Sequence, residues 1–385
     1  MTLQSSPRAF DPSGTEEFAH WLDGVRAWAG TAAPDMSGWR SGAALDLLAL
    51  PVARGEGGAG AGFLATCRAF ETAGEGAVLS GNNVLGGFLF AMSAHLWACQ
   101  EPLLAFGTDE QRAAYLPDMM AGKVCGAFGA TEDGAGSDVM SMRTRAVRTD
   151  TEGWCLNGVK TFVTNAPTAD LFLVLARTSE HDSYGSLSAF LVPRSSPGLS
   201  VGSATEIVGP AGARTAVVRL ADVTVGEQAC LGGEGAGFAV LMHAMRHERA
   251  FILAPAVGLM AGMLRRTVEH ARRRSQFGRP IATYDAVRER LVDAALHLAA
   301  AQDVLRATAG SADLDELDQA RAALTKLHVS REFNALSNRL ADVYGGYAMM
   351  PDTGIPQLIH DALASRFYSG TDDMQTKIIA EGLGL

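Results

Sequence analysis

Between residues 123 and 228 the chain gives up the helical period that governs the segments on either side of it. WCLNGVKTFVT (154–164), DLFLVLART (170–178), SLSAFLVPR (186–194) and TAVVRLADVTV (215–225) are short and rich in β-branched residues. Turn chemistry separates them, as DTEG, NG and PG, so this region predicts an antiparallel β domain. Before it, helical texture covers 14–29, 62–76, 80–98 and 107–121, with breaks such as PVARGEGGAG (51–60). After GGEGAG (232–237) it returns over about 236–272, 282–308, 314–343 and 354–383. Val287, Leu291, Ala294 and Leu298 fall at i, i+4, i+7 and i+11, one apolar stripe. Long Ala-rich helices of this kind suggest a four-helix bundle. The order helical, β, helical gives an expected α+β class with units 1–122, 123–228 and 229–385.

With 385 residues, 48% hydrophobic and 19% charged, the chain can bury a large core in two or three units. A net charge of −10 offers no global basic field to nucleic acid. The basic clusters RHER (246–249) and ARRRSQFGR (271–279) read, taken alone, as solvated helix faces. Cys67, Cys99, Cys125, Cys155 and Cys230 form no CxxC pair and no metal spacing with histidine, which suggests reduced thiols in a cytoplasmic protein. His95, His243 and His247 likewise read as packing or surface residues, and no metal is expected. MTLQSSPRAFDPSGTEEF lacks a basic stretch followed by an apolar run, so no signal peptide is expected. The apolar run at 79–98 is interrupted by Gly, Asn, Ser and His and reads as a buried helix, not a membrane span.

Four stretches carry the chemistry: GAFGATEDGAGSD (126–138), LNGVKTFVTNA (156–166), RRRSQFGRPI (272–281), and YGGYAMMPDTGIPQLIHDA (344–362) running into SGTDDMQ (369–375). The first offers hydroxyls and Gly-exposed N–H groups to a flavin edge or a phosphate, although a plain turn loop is compatible too. It is no Rossmann fingerprint, because no βαβ unit surrounds it. In this order and at these separations the four stretches resemble the FAD-dependent acyl-CoA dehydrogenase family over most of the chain. The resemblance implies that fold, an FAD cofactor, and oxidation of the Cα–Cβ bond of an acyl thioester. By the same resemblance Phe128, Thr131 and Ser137 would contact the flavin, with Ser137 also near the thioester's pantetheine or phosphate end. Phe162 would pack on one flavin face, where the family often has tryptophan, and Thr164 would bond its N5 edge. Arg274 and Phe277 would reach the FAD of a neighbouring subunit, which implies a homotetramer or homodimer. Gly345, Gly346, Thr371 and Asp373 would complete the cofactor site. Asp285 and Asp342 stand where the family often has glutamine, and His360 where arginine commonly precedes Asp-Ala.

In many members a glutamate directly before Gly-Thr removes the substrate α-proton; here that place holds Ser369. A serine hydroxyl without an activating base cannot replace it, and Ser369 reads instead as a small residue or a cap for the last helix. Its main-chain N–H would still polarise the thioester carbonyl, which makes Ser369 and Gly370 substrate contacts. A second family pattern, that of isovaleryl-CoA dehydrogenase, carries the glutamate on the first long C-terminal helix. A gap-free count back from Arg274 and Phe277 lands on Glu248. The residues support this independently. Leu241, Met245, Glu248, Ile252 and Leu259 follow helical spacing, and Met245, Phe251, Ala244 and Ile252 give Glu248 no cationic helix neighbour. A carboxylate on an apolar stripe needs a cavity or a partner on another helix, and the bland alternative is a structural pair with arginine. Pro255 should bend this helix by freeing the carbonyl of Phe251. Arg249 matches a family arginine at the substrate end. Arg246 stands where relatives can carry an aspartate, and hints at a carrier-protein handle in place of CoA.

The expected function is thus FAD-dependent α,β-dehydrogenation of an acyl-CoA or acyl carrier protein thioester. Glu248 would take the pro-R α-proton and flavin N5 the β-hydride, with an electron-transfer flavoprotein or oxygen as acceptor. The rivals are a same-fold flavin oxidase or monooxygenase, and a non-catalytic binding protein. No nucleic-acid or membrane partner is expected.

Overall fold

The computed structural model describes residues 16–150, 153–181 and 183–385. The six helices α1 (Glu16–Thr31), α2 (Met36–Ala43), α3 (Gly62–Ser80), α4 (Leu85–His95), α5 (Glu101–Phe106) and α6 (Asp109–Met120) come first. The strands β1 (Gly126–Gly129), β2 (Arg145–Thr149), β3 (Gly153–Thr164), β4 (Leu171–Arg177), β5 (Leu187–Pro193), β6 (Leu199–Ala204), β7 (Thr215–Gly226) and β8 (Cys230–Leu231) follow. Then come α7 (Gly237–Phe251), α8 (Ala254–Arg273), the short hairpin of β9 (Ser275–Gln276) and β10 (Arg279–Pro280), α9 (Asp285–Asp313), α10 (Gln319–Tyr344), α11 (Ile355–Ala364) and α12 (Asp372–Gly382). The expected order of helical, β and helical segments stands. The start of the 14–29 helix, part of the DTEG turn and most of the N-terminal stretch lie outside the described residues.

By contacts the chain forms two compact units. One contains the chain up to Phe90, Ile207–Gly212 and Arg249–Leu385; the other contains Ala91–Glu206 and Ala213–Glu248. In the first unit, α3 and α8 pack at very close range because glycine lines their contact. A Cβ on Gly74 would lie 2.3 Å from the Pro255 carbonyl oxygen, and one on Gly258 only 2.0 Å from that of Glu71. The short loop 207–212 belongs to this unit as well. Asp361 accepts from the Ala211 N–H at 3.0 Å and Gln357 donates to the Val208 carbonyl at 3.2 Å.

The second unit is built on a sheet of order β6-β7-β3-β2-β4-β5-β8, with β1 pairing beside β4. Most pairs are antiparallel, as expected, but β1 runs parallel to β4 from Gly126–Leu171 to Gly129–Val174. The core holds Trp154, Leu156, Phe172, Val174, Phe190, Val192, Val218 and Leu220. Leu171–Ala176 is buried on both faces, which is why that stretch reads as a continuous apolar run without alternation.

Three expected helices are interrupted. The 236–272 segment stops at Phe251 and restarts at Ala254. Pro255 has no N–H for the Phe251 carbonyl, and at the first turn of α8 that deficit costs nothing. The effect is a break where a bend was expected. The 80–98 segment starts at Leu85 and passes through a π-helical turn, Leu96–Gln100, into α5. The 354–383 segment divides at a loop in which Ser369 and Gly370 have φ of 53° and 90°, outside helical space. Gly237–Arg273 is the one stretch among the described residues long and apolar enough to cross a membrane, and 72% of its most apolar window is buried inside the protein.

Candidate active site

Within the second unit, β1 ends in the loop that carries Thr131 and Ser137. The Thr161 N–H donates to the Thr131 carbonyl at 2.8 Å, which binds the loop to β3 next to Phe162. The β3–β7 register shifts between Lys160 and Val163. That irregularity puts Phe162 at φ 53° and leaves its ring 66% exposed. An aromatic side chain held out of a sheet by a strained bulge is a platform for a flat ligand. Phe128 and Thr164 are half-buried, whereas Ser137 is exposed.

Sequence reasoning missed the anchor of this loop. Lys160 is fully buried and its Nζ donates to Glu132 at 2.7 Å and to the Ala130 carbonyl at 3.3 Å. Glu132 also accepts from the Arg143 and Thr144 N–H groups at 2.7 and 3.0 Å. Burial lowers the Lys160 pKa to about 8, although Glu132 pulls it back up. The only signal in the sequence was a charged pair in two Gly-rich motifs. His95 anchors the other end of β1: its Nδ1 accepts from the Gly126 N–H at 2.9 Å. Burial lowers the pKa of His95 to about 3 and holds the ring neutral. It is a packing histidine, as expected, with a positioning task.

Glu248 lies on α7 and is 8% exposed. Of its stripe, Leu241 on α7 is buried and Met245 half-buried, whereas the buried Ile252 and Leu259 lie beyond the end of α7 at Phe251, so the stripe inferred from spacing is cut by the helix break. Burial, then the charges of Cys125 and Glu248, push up the thiol of Cys99, which lies in the π-helical turn Leu96–Gln100. Such turns recur at functional sites.

Glu101, His243 and His247 also converge, with one ligand atom of each within 4.8 Å of the others. The i, i+4 spacing of His243 and His247 puts the two on one face of a helix, but nothing in the sequence placed Glu101 beside them. His243 Nε2 lies 3.5 Å from Glu101, and Arg246 approaches His243 Nδ1 at 3.5 Å. His247 gives Nδ1 to the His243 carbonyl at 3.0 Å, and burial lowers its pKa to about 4. Burial raises the Glu101 carboxyl, but the His243 hydrogen bond and the neighbouring His247 and Arg246 outweigh it and lower the pKa. Arg246 already supplies the positive charge that a cation would bring.

In the first unit, the residues around Ser369 form a second group. The Gly370 carbonyl accepts from Lys326 Nζ at 2.9 Å and from Gln375 Nε2 at 2.8 Å. Gln375 also donates to the Ser369 carbonyl at 3.2 Å. Arg249 is buried and donates to Gln319 at 3.0 Å. The cap of α12 is Thr371, whose hydroxyl accepts from the Met374 N–H at 3.3 Å; Ser369, the expected alternative, does not cap it. Asp373 is exposed in the first turn of α12.

A cavity of about 450 Å³ brings together Arg274, Gly345 and Gly346, with His270, Gln276 and Asp342 in its wall. The Arg274 guanidinium stacks 5.2 Å over the Tyr347 ring. Phe277 sits at the hairpin tip at φ 51° and is 94% exposed. The two carboxylates that stand in place of glutamine are met by arginine: Asp342 by Arg290 at 3.7 Å and Asp285 by Arg288 at 3.4 Å. The site residues therefore fall into a flavin-type group in one unit and a phosphate-type group in the other. Open space lies beside Gly345 and Gly346, a guanidinium is at hand, and an aromatic platform stands on β3. Taken separately, the first group fits a flavin ring and the second a phosphate, the two parts of FAD.

Comparisons with known proteins agree with this fit. Models of the acyl-CoA dehydrogenase N-terminal, middle and C-terminal domains match residues 15–123, 127–223 and 235–384. An L-prolyl-[peptidyl-carrier protein] dehydrogenase of Pseudomonas fluorescens is 36% identical over 341 residues, 88% of this chain and 88% of that protein. The crystal structure of the prolyl acyl carrier protein oxidase AnaB superposes with a TM-score of 0.91 at 30% identity, covering 97% of this chain and 100% of that one. An FAD complex of PigA gives 0.90 at 30% identity, covering 98% and 100%.

Proposed function

Because the chain belongs to the acyl-CoA dehydrogenase family, and is an FAD-dependent oxidoreductase of acyl thioesters, we propose that it oxidises an acyl group tethered to a carrier protein, with Glu248 as base. The observation that carries the assignment of the base is the burial of Glu248 near the C-terminal end of α7, while the position before Gly370-Thr371 holds a serine. FAD, when bound, supplies the hydride acceptor. Phe128, Thr131, Ser137, Phe162 and Thr164 would hold its flavin part, and Arg274, Phe277, Gly345, Gly346, Thr371 and Asp373 the remainder. The protein's own work is acid–base and positional. Glu248 withdraws the α-proton, which is weakly acidic in a thioester. The Ser369 main-chain N–H polarises the carbonyl and so lowers the cost of the enolate-like charge. Arg249 steadies this end of the substrate.

One observation and one expectation support the carrier-protein handle: the likeness to a prolyl-carrier-protein dehydrogenase, and Arg246 on α7, where the family resemblance would allow an aspartate. A prolyl or related aminoacyl group is then the first substrate to test. For the acceptor, an electron-transfer flavoprotein and oxygen are the two candidates, and the likeness to an oxidase gives oxygen a specific reason. We further propose a homodimer or homotetramer in the cytoplasm. Phe277, Met349, Val292 and Leu296 are exposed apolar residues, the first beside the FAD-type cavity, and all five cysteines are free.

The decisive experiment is anaerobic reduction of the bound flavin by a panel of acyl-CoA, acyl-carrier and prolyl-carrier thioesters. Bleaching by a carrier thioester alone supports the proposal. Bleaching by acyl-CoA only would reassign the handle, and a need for an external reductant would point to a monooxygenase.

A further inference from the structure

One face of α10 is polar where a helix core should be apolar. Lys326, Ser330 and Asn334 lie at i, i+4 and i+8; Asn334 bonds the last turn of α11, and Ser330 and Lys326 bond successive points of the segment between α11 and α12. Asn334 donates to the Ala362 carbonyl at 2.7 Å, Ser330 meets the Ser365 hydroxyl at 2.8 Å, and Lys326 donates to the Gly370 carbonyl at 2.9 Å. Lys326 is fully buried, and a buried ammonium costs several kcal/mol unless its surroundings compensate it. Its charged neighbours are Asp372 at 3.8 Å, and Arg249 and Arg366, which oppose it. Burial, with Asp372 pulling the other way and the two arginines adding to it, lowers its pKa to about 8. Packing alone gives no reason to keep a cation here, since a methionine would fill the same volume.

What the ammonium does is hold a turn. Ser369 and Gly370 occupy consecutive left-handed conformations, at φ 53° and 90°, and a non-glycine residue there is strained. Two donors on the Gly370 carbonyl, from Lys326 and Gln375, and a third on the Ser369 carbonyl, from Gln375, oppose relaxation of that strain. Asp372 N–H closes the loop onto the Arg366 carbonyl at 3.0 Å.

We propose that Lys326, seconded by Gln375, is a positioning residue for the dehydrogenation: it fixes the Ser369–Gly370 turn so that the residue-369 N–H is aimed at the thioester carbonyl. This rests on the reading of that N–H as the carbonyl donor, and it is independent of Glu248 being the base. The ammonium itself touches neither substrate nor cofactor; it acts through the peptide.

The test compares wild type, Lys326→Met, Gln375→Leu and Glu248→Gln as full-length holoenzymes. Two quantities are read: the limiting rate of anaerobic flavin reduction, and the infrared carbonyl stretch of a bound carbon-13-labelled prolyl-pantetheine thioester. Lys326→Met should slow reduction by about 100-fold, the scale of a misplaced catalytic contact, and return the carbonyl stretch toward its solution value. Glu248→Gln should slow reduction by about 10²–10⁴-fold yet keep the shifted stretch. If Lys326→Met fails to retain FAD, Gln375→Leu reports on the same turn and should relax the stretch in the same direction. An unchanged rate and stretch in Lys326→Met, or an unchanged stretch in Gln375→Leu when the lysine variant does not fold, overturns the proposal. A wild-type stretch equal to that in solution overturns it together with the donor reading. Reduction at the wild-type rate in Glu248→Gln sinks only the base assignment.

Discussion

The buried pair Lys160–Glu132 makes an asymmetric prediction. Glu132 is shared by Lys160 and by the Arg143 and Thr144 N–H groups, so its carboxylate keeps two partners when the lysine is removed. Lys160 has no comparable reserve: besides Glu132 it reaches the Ala130 carbonyl at 3.3 Å and the Met142 sulfur at 3.9 Å. Leaving an uncompensated buried charge costs about 3–5 kcal/mol. Glu132→Gln should therefore destabilise the loop by about 3 kcal/mol or more, whereas Lys160→Met should cost about 1–2 kcal/mol. The double variant should cost less than the sum, because the stranded charge is gone. Amide hydrogen exchange at Thr161 reads this locally, since its N–H donates to the Thr131 carbonyl of the same loop; 3 kcal/mol corresponds to about a hundredfold loss of protection. FAD affinity should fall in the same order, because Thr131 and Phe162 flank the bond. Equal losses in the two single variants, or additive losses in the double, would refute the reasoning that desolvation of the lysine dominates.

Other outcomes follow from the same structure. Glu248→Gln should keep FAD and substrate binding while flavin reduction falls by at least about 10²–10⁴-fold, measured in a single anaerobic turnover. Burial raises the Asp361 pKa from 3.8 to about 7, against hydrogen bonds from Gln357 and Ala211 that lower it. The folded state thus holds the proton more tightly, and the stabilisation present below about pH 4 is lost as pH rises through about 7. Asp361→Asn should remove that dependence and leave the protein more stable at pH 8 by up to about 4 kcal/mol, seen as a flat thermal-melting profile across this window. Arg274→Ala should weaken FAD binding by roughly tenfold or more without altering the protein's helical content, which flavin fluorescence titration and circular dichroism together check.

Sequence periodicity reached the architecture because burial imposes it. An apolar residue every three or four positions can only cover a core as a helix, and alternating β-branched runs only as a sheet. The same logic exposed Glu248, since a carboxylate on an apolar stripe is anomalous wherever the chain folds. Glycine-rich motifs in fixed order marked the residues expected to hold the cofactor, and the structure gathers three of them, Arg274, Gly345 and Gly346, around one cavity.

The remainder depended on contacts between residues far apart in sequence. Lys326 meets Gly370 across 44 positions, Lys160 meets Glu132 across 28, and Glu101 meets His243 across 142. No local pattern encodes such pairs, because a buried lysine and a surface lysine look alike until the partner arrives. The helix breaks were decided in the same way. Pro255 marked one in the sequence, but whether its helix bent or stopped was settled only when α8 restarted at Ala254. By itself the sequence determined which faces had to be buried, and with them the fold, and it singled out Glu248 as a carboxylate that folding buries. Only the tertiary structure decided which buried charges hold the loops still, since that choice is made by desolvation and by partners that folding alone brings within reach.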